Sequence, residues 1–327
     1  MQTISLIVPC YNEEPSIQLF YDAVSAVFKT INADTDRYQP EYLFVNDGSS
    51  DKTLPILKDL QAQHPETVHY LSFSRNFGKE AALACGLDAS TGDLVAVMDV
   101  DLQDPPELLP KMINLIENEG YDCVGTIQKA RRGQGRIRAF LSSKFYNVID
   151  AISEVRIEPN ARDYRLMTRQ MVNTITSLPE YNRFSKGIFA WVGYKTTYLT
   201  YESQPRAAGN SHWSFMQLFN YAIDGIVDFS DAPLKIATWI GGLSCVLAVF
   251  GLLFVFIRAL AVGDAVAGWP SMVSIILLLG GIQLFSLGIL GEYISKIYLE
   301  TKHRPKYIVK EKKVNKDRGY ANVNSAL

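Results

Sequence analysis

Short apolar, β-branched runs alternate with stretches whose apolar residues recur at helical spacing. The order is "ISLIVPC" then Glu13 to Ile31, "EYLFVND" then Asp51 to Gln63, "VHYLSFS" then Phe77 to Ala89, "LVAVMDVD" then Pro106 to Glu117, and finally "YDCVGTI". Strand-length runs separated by helix-length segments predict βαβ units. Strands that are apolar throughout predict a mostly parallel sheet with helices on both faces, an α/β, Rossmann-like domain. In such sheets ligands bind outside the carboxyl ends of the strands. The loops "PCYNEE", "VNDGSSD", "FSRNFGKE" and "MDVDLQD" all fall at that one edge, so their polar residues are expected to converge.

Further along, the period changes. From His212 to Asp231, polar Gln217, Asn220, Asp224, Asp228 and Asp231 recur at steps of three and four, which predicts an amphipathic helix with a wide apolar face. Its polar face is acidic, so lying in a membrane interface and packing on the domain or another subunit are equal alternatives. Two uncharged runs follow, Ile236 to Ile257 and Ala265 to Gly291. Each exceeds the roughly 20 residues that carry a helix across a bilayer, and a short loop, Arg258 to Asp264, joins them. Lys235 precedes the first run and Lys296, Lys302, Arg304, Lys306, Lys310, Lys312 and Lys313 follow the second, whereas the loop offers only Arg258. The positive-inside rule then puts both termini of a multi-pass membrane protein in the cytoplasm. The expected organisation is a cytoplasmic domain over 1–211, a juxtamembrane helix over 212–232, two transmembrane helices over 233–300 and a basic tail over 301–327, disordered beyond about Lys313.

Composition changes this picture little. Of 327 residues 48% are hydrophobic, ample for a large core, and the mean hydropathy of +0.02 conceals the division between domain and spans. A net charge of -2 gives no electrostatic footprint for nucleic acid. Cys10, Cys85, Cys123 and Cys245 form no CxxC pair, which argues against structural zinc and fits a reducing compartment. "MQTISLIVPC" lacks a basic n-region and turns polar too soon for a secretory leader.

The chemistry of the edge narrows by exclusion. No GxGxxG follows the first strand, and "SRNFGKEAA" is not a phosphate-binding P-loop. What remains is carboxylates and amides beside a few cations. In "VMDVDLQDPPE", Asp99 and Asp101 are one residue apart, so strand periodicity points both to one side. Close carboxylates repel unless a cation sits between them. Mg2+ or Mn2+ suits, since hard cations take one or two carboxylates plus phosphate oxygens. Asp47 and Arg75 lie at neighbouring strand ends, and Pro105, Pro106 and Glu107 read as a helix start, with Asp104 either capping it or facing a sugar.

Together "VPCYNEE", "VNDGSSD", "SRNFGKEAA", "MDVDLQDPPE" and "QPRAAGNSHWSF" resemble the GT-A fold, family 2 glycosyltransferases that load a sugar onto a polyprenyl phosphate. Dolichyl-phosphate mannose synthase and the bactoprenol-phosphate glucosyltransferases are the type members of the family the chain resembles, and the pair of C-terminal spans is similar to the bactoprenol subgroup. The resemblance implies that Pro9, Tyr11, Glu13 and Asp47 hold base and ribose, with Arg75 and Lys79 among the nucleotide-sugar contacts. It implies Asp99, Asp101 and Gln103 around a metal and the diphosphate, and Arg206 and Ser211 at the donor or acceptor phosphate. Where many relatives have two aspartates this chain has Asn46-Asp47, which favours Asp47 as the functional member. Asp163, in "NARDYRL", matches an aspartate that faces the acceptor, to orient it or act as base, although an ion pair with Arg162 is an alternative.

In "KARRGQGRIRAFLSSK", Arg131, Arg136 and Arg138 stand among Lys129, Arg132 and Lys144. They form either a solvated basic loop or, for a lipid-phosphate acceptor at an anionic membrane, a phosphate-binding set. The implied reaction is attack of the lipid phosphate on the anomeric carbon of a nucleotide sugar, with inversion. UDP-glucose is the first expectation and GDP-mannose the second, with a homo-oligomer, a tetramer, expected from relatives. A processive polysaccharide synthase would carry QxxRW and more spans, whereas the chain has "QPRAAGNSHW"; a non-catalytic nucleotide-binding scaffold is the alternative of a different class.

Overall fold

The alternation of strand and helix signals gives β1 (Gln2–Cys10), α1 (Ile17–Ile31), β2 (Tyr38–Asn46), α2 (Thr53–Gln63), β3 (Val68–Phe73), α3 (Lys79–Ala89) and β4 (Leu94–Val97) in a computed structural model. A short 3-10 turn, Pro106–Leu108, leads into α4 (Leu109–Glu119) and then β5 (Cys123–Gln128). The chain continues through β6 (Ala161–Thr168), α5 (Arg169–Ser177), α6 (Ser185–Trp191) and β7 (Thr196–Tyr201). It ends in two long helices, α7 (Ala232–Val262) and α8 (Trp269–Thr301), and a last strand, β8 (Val309–Lys313). The structure describes residues 1–129, 158, 160–202, 227, 230–262 and 268–314.

The strands form a sheet of order β7-β5-β6-β4-β1-β2-β3-β8. β1 pairs in parallel with β2 and β4, and β2 with β3. β6 is antiparallel to both β4 and β5, and β7 is parallel to β5. All strands but β6 and β8 therefore run one way, as a mostly parallel sheet requires. Alternation along the strands divides the core. Ile4, Leu6 and Val8 meet α1, α2 and α4 on one face, while Ile7, Val95 and Val97 meet α3, α5 and α6 on the other. The second face is tight: a Cβ on Gly86 of α3 would stand 2.2 Å from Ile7 Cγ2.

α7 and α8 have 31 and 33 residues. At about 1.5 Å per residue both outrun the roughly 30 Å hydrocarbon core of a bilayer. Trp239, Phe250, Phe254 and Leu284 stand 79%, 66%, 66% and 72% exposed, far more apolar surface than a water-facing helix pair carries. Both helices are long and apolar enough to cross a membrane.

The end of α8 and the segment after it, expected as a basic tail from residue 301, bond to the domain. Glu300 Oε1 accepts from the backbone N–H groups of Tyr181 and Asn182, at 2.7 and 3.2 Å. Lys306 Nζ donates to Leu178 O at 3.2 Å. Tyr307 is buried, stacks on Phe73 with ring centroids 5.2 Å apart and donates its hydroxyl to Asp88 Oδ2 at 2.9 Å. β8 then pairs antiparallel with β3, and Glu311 takes Lys58 Nζ at 2.7 Å and the Tyr70 hydroxyl at 2.8 Å. Lysines at 310, 312 and 313 mark it as an edge strand, since charge there discourages further pairing. In sequence that same charge masks the strand.

Tyr307→Ala is expected to destabilise the full chain by about 3 kcal/mol, as loss of a buried aromatic does, and Tyr307→Phe by about 1 kcal/mol through the lost hydroxyl contact. Chemical denaturation of the detergent-solubilised protein, followed by tryptophan fluorescence, measures both.

Candidate active site

Four loops meet at the carboxyl ends of β1 to β4, and backbone-to-side-chain bonds lock them together. Asn12, at φ 55°, donates its N–H to Ser49 Oγ at 2.9 Å and accepts from Ser50 N–H at 2.9 Å. Glu13 N–H reaches Thr53 Oγ1 at 2.9 Å. Gly48 has φ +65°, and a Cβ there would lie 2.4 Å from the Arg75 carbonyl carbon, so only glycine lets the second and third loops approach this closely. Asn46 uses both halves of its amide, donating to Ser72 Oγ at 2.9 Å and accepting from Ser49 N–H at 3.2 Å. The amide makes both bonds without placing a further charge beside buried Asp47.

Asp47 is buried, and its two oxygens accept from the N–H groups of Phe77 and Gly78, at 2.7 and 3.0 Å, just before α3. Burial pushes its carboxyl up, and those two donors and Arg75 pull the other way. Asp47 thus fixes the loop that carries Arg75 and Lys79. Arg75 stacks over the Phe77 ring, 4.3 Å from its centroid. Pro9 remains within β1 opposite Val45, Tyr11 is exposed, and Glu13 accepts from Ser16 Oγ at 3.0 Å.

β4 ends at Val97, yet alternation persists. Met98 and Val100 bury on the α1 side, and Met98 N–H still bonds Ile7 O at 3.0 Å. Asp99 therefore turns to the α3 side, where Lys79 Nζ stands 2.6 Å from Asp99 Oδ1 and 2.6 Å from Asp163 Oδ2. Burial opposes the lysine's charge, but the two carboxylates outweigh it and hold its pKa above the ordinary value. Burial likewise opposes ionisation of Asp163, but Lys79 and Lys186 outweigh it and hold that carboxyl well below the usual range. Asp101 Oδ1 accepts from Gln103 N–H at 3.1 Å in a local turn.

Opposite lies a second cluster, invisible in the sequence. Arg162 Nε donates to Asp104 Oδ1 at 3.2 Å, the Tyr201 hydroxyl donates to the same oxygen, and Arg162 Nη2 is 3.5 Å from Gln103 Oε1. Asp104 is 2% exposed, and its Oδ2 has no partner. An Arg162–Asp163 ion pair does not form. Adjacent strand residues face opposite sides of a sheet, so Arg162 goes to Asp104 and Asp163 to Lys79. Asp104 neither caps α4, whose N-cap is Leu108, nor stands alone at the edge.

The structure thus brings Lys79, Asp99 and Asp163 together, with Asp101 and Gln103 on the adjoining turn. Arg131, Arg136, Arg138, Arg206, Ser211 and the expected juxtamembrane helix lie outside the described residues. Among the described residues no group of three or more His, Cys, Asp or Glu is arranged to hold a metal. Asp99 and Asp101 do fit the smaller set that Mg2+ or Mn2+ takes when phosphate oxygens complete its shell.

Residues 5–175 match the model of glycosyl transferase family 2, and residues 232–297 match the GtrB C-terminal hairpin. The chain is 44% identical over 315 residues to the putative glycosyltransferase CsbB of Bacillus subtilis, covering 96% of this chain and 93% of that one. It is 43% identical over 310 residues to the bactoprenol glucosyl transferase of Shigella phage SfX, covering 95% and 99% respectively. The prophage bactoprenol glucosyl transferase homolog of Escherichia coli K12 gives the same identity and coverage.

Burial is the main cause that pushes the Asp104 carboxyl up, with Arg162 and Tyr201 opposing. A carboxyl whose folded pKa lies above its unfolded value of about 3.9 holds more protons when folded, so its contribution to stability falls as pH rises through that interval. Asp104→Asn should therefore gain on the wild type as pH rises above the unfolded value of about 3.9. Arg162→Ala, which strands an ionised Asp104, should lose ground over the same range, reaching about 3 kcal/mol at neutral pH. Thermal melts of the three proteins across that range check both signs.

Proposed function

The chain belongs to glycosyl transferase family 2, and we propose that it moves glucose from UDP-glucose to undecaprenyl phosphate at a bacterial inner membrane, inverting the anomeric centre. The observation that carries this reading is the union, in one chain, of a carboxylate-lined sheet edge with an apolar hairpin, collinear over 95% of its length with a bactoprenol glucosyl transferase. A polyprenyl tail stays in the bilayer, so the site has to be held at its surface, with both termini cytoplasmic as the basic residues around the spans favour.

In the reaction an oxygen of the acceptor phosphate forms a bond to the anomeric carbon, the bond to the β-phosphate oxygen breaks, and UDP leaves with the electron pair. The acceptor is already ionised at neutral pH and needs no proton removed. Asp99 and Asp101 would hold a divalent ion, which when bound supplies positive charge where negative charge builds on the departing diphosphate. Asp163 is held ionised far below neutrality by Lys79 and Lys186, so it is a weak base; its role is to orient Lys79. Asp47 sets the loop beside the nucleotide, and Pro9, Tyr11, Glu13 and Arg75 line the same edge. Arg131, Arg136, Arg138, Arg206 and Ser211 are proposed for the phosphates. A Cβ on Gly241, Gly242, Gly251, Gly280 or Gly281 would meet nothing within 4 Å, which leaves these positions open to a second copy in a homo-oligomer.

Purified full-length protein in detergent is given undecaprenyl phosphate, Mg2+ or Mn2+, and a panel of radiolabelled nucleotide sugars including GDP-mannose. Label from UDP-glucose is expected in the lipid phase, and Asp101→Ala should lower transfer by about 100-fold or more without changing the melting temperature. If no donor labels the lipid, the proposal fails in favour of a nucleotide-binding scaffold.

A further inference from the structure

The Lys79 ammonium sits between two carboxylates contributed by distant parts of the chain, 2.6 Å from each. The Asp104–Arg162 pair has its carboxylate sealed, with a side chain 2% exposed. The lysine triad instead faces solution, with Lys79, Asp99 and Asp163 side chains 33%, 21% and 19% exposed. Lys79 opens α3 directly after Gly78, whose φ of +98° and empty surroundings leave the start of the helix unobstructed. Its stem is flexible and its ammonium is a point charge rather than a planar fork, so it can leave one carboxylate and keep the other.

We propose that Lys79 is a resident counter-cation: it neutralises Asp99 while the donor is absent and gives Asp99 up when a divalent ion and the diphosphate arrive, retaining Asp163 as its pivot. This rests on the reading of Asp99 and Asp101 as the seat of that ion. Charge requires some such exchange. Asp99 and Asp163 with Lys79 sum to one negative charge, so a divalent ion brought to Asp99 meets a positive ammonium at contact distance. Once released, that ammonium stands beside an incoming anion at the same edge, where attraction replaces repulsion. Lys79 thereby makes metal and nucleoside diphosphate bind together and disfavours the metal alone.

The test reads Mn2+ binding to the full-length protein by electron paramagnetic resonance, with and without UDP, and needs no sugar transfer. Lys79→Met removes the competitor, so Mn2+ alone should bind roughly tenfold tighter and the gain from adding UDP should shrink. Asp163→Asn removes the pivot, so Lys79 has only Asp99 to hold, and Mn2+ alone should bind several-fold more weakly. Local charge alone also moves Mn2+ affinity in opposite directions in the two variants, so the gain from UDP decides: it shrinks in Lys79→Met if Lys79 passes to the diphosphate, and an unchanged gain overturns the proposal. Shifts of the same sign, or none, overturn the proposal; should Lys79→Met not fold, an unchanged or tightened Asp163→Asn overturns it alone. Opposite shifts with a smaller gain from UDP, in a protein that transfers no sugar, would sustain the counter-cation while removing the transferase reading.

Discussion

Everything in the catalytic half depends on the parallel pairing of β1 with β2 and β4. These strands are apolar on both faces because helices cover both, and alternation leaves almost no position inside the sheet where a charged side chain is tolerable. Polar chemistry is thereby expelled to the strand ends. Parallel direction gathers those ends at one edge, so "PCYNEE", "VNDGSSD", "FSRNFGKE" and "MDVDLQD" become neighbours although they are widely separated in sequence. The bonds from Asn12, Asn46 and Asp47 to adjacent loops make that edge rigid.

Concentrating carboxylates at one edge creates an electrostatic difficulty, which β6 resolves. Being antiparallel to β4, it delivers Arg162 to one face and Asp163 to the other. On the first face the arginine neutralises buried Asp104; on the second the aspartate recruits Lys79 to Asp99. The two arrangements differ in what they permit. A sealed pair with a tyrosine hydroxyl on the same oxygen supports the fold, whereas the half-buried triad held by one flexible lysine is the one proposed to rearrange around a ligand.

Local pattern was legible wherever one element decides its own form. The strands from β1 to β5, their helices and the two apolar spans follow from period and composition, and so do the loops that carry Asp47, Lys79, Asp99 and Asp101. What escaped was pairing at long range. Nothing near Lys79 in sequence shows its partner Asp163, 84 positions away. Arg162 was set beside Asp163 by adjacency, although strand periodicity separates them. β8 falls within the stretch expected as a basic tail, because its lysines hide an alternation whose partner, β3, lies more than two hundred residues earlier.

That last strand joins the two halves of the molecule mechanically. The connection from α8 into it lays Tyr307 against Phe73 at the end of β3 and against Asp88 near the end of α3. Ser74 N–H then bonds Ile308 O at 3.0 Å. β3 and α3 are the elements on either side of the loop that holds Arg75 and presents Lys79. The hairpin is therefore fastened to the stem of the lysine-bearing loop rather than to a remote surface. α8 and the segment after it are also tied to the chain that follows α5, through Glu300 to Tyr181 and Asn182 and through Lys306 to Leu178. The strand that follows directly on the apolar helices is thus a member of the sheet whose edge carries the charged residues.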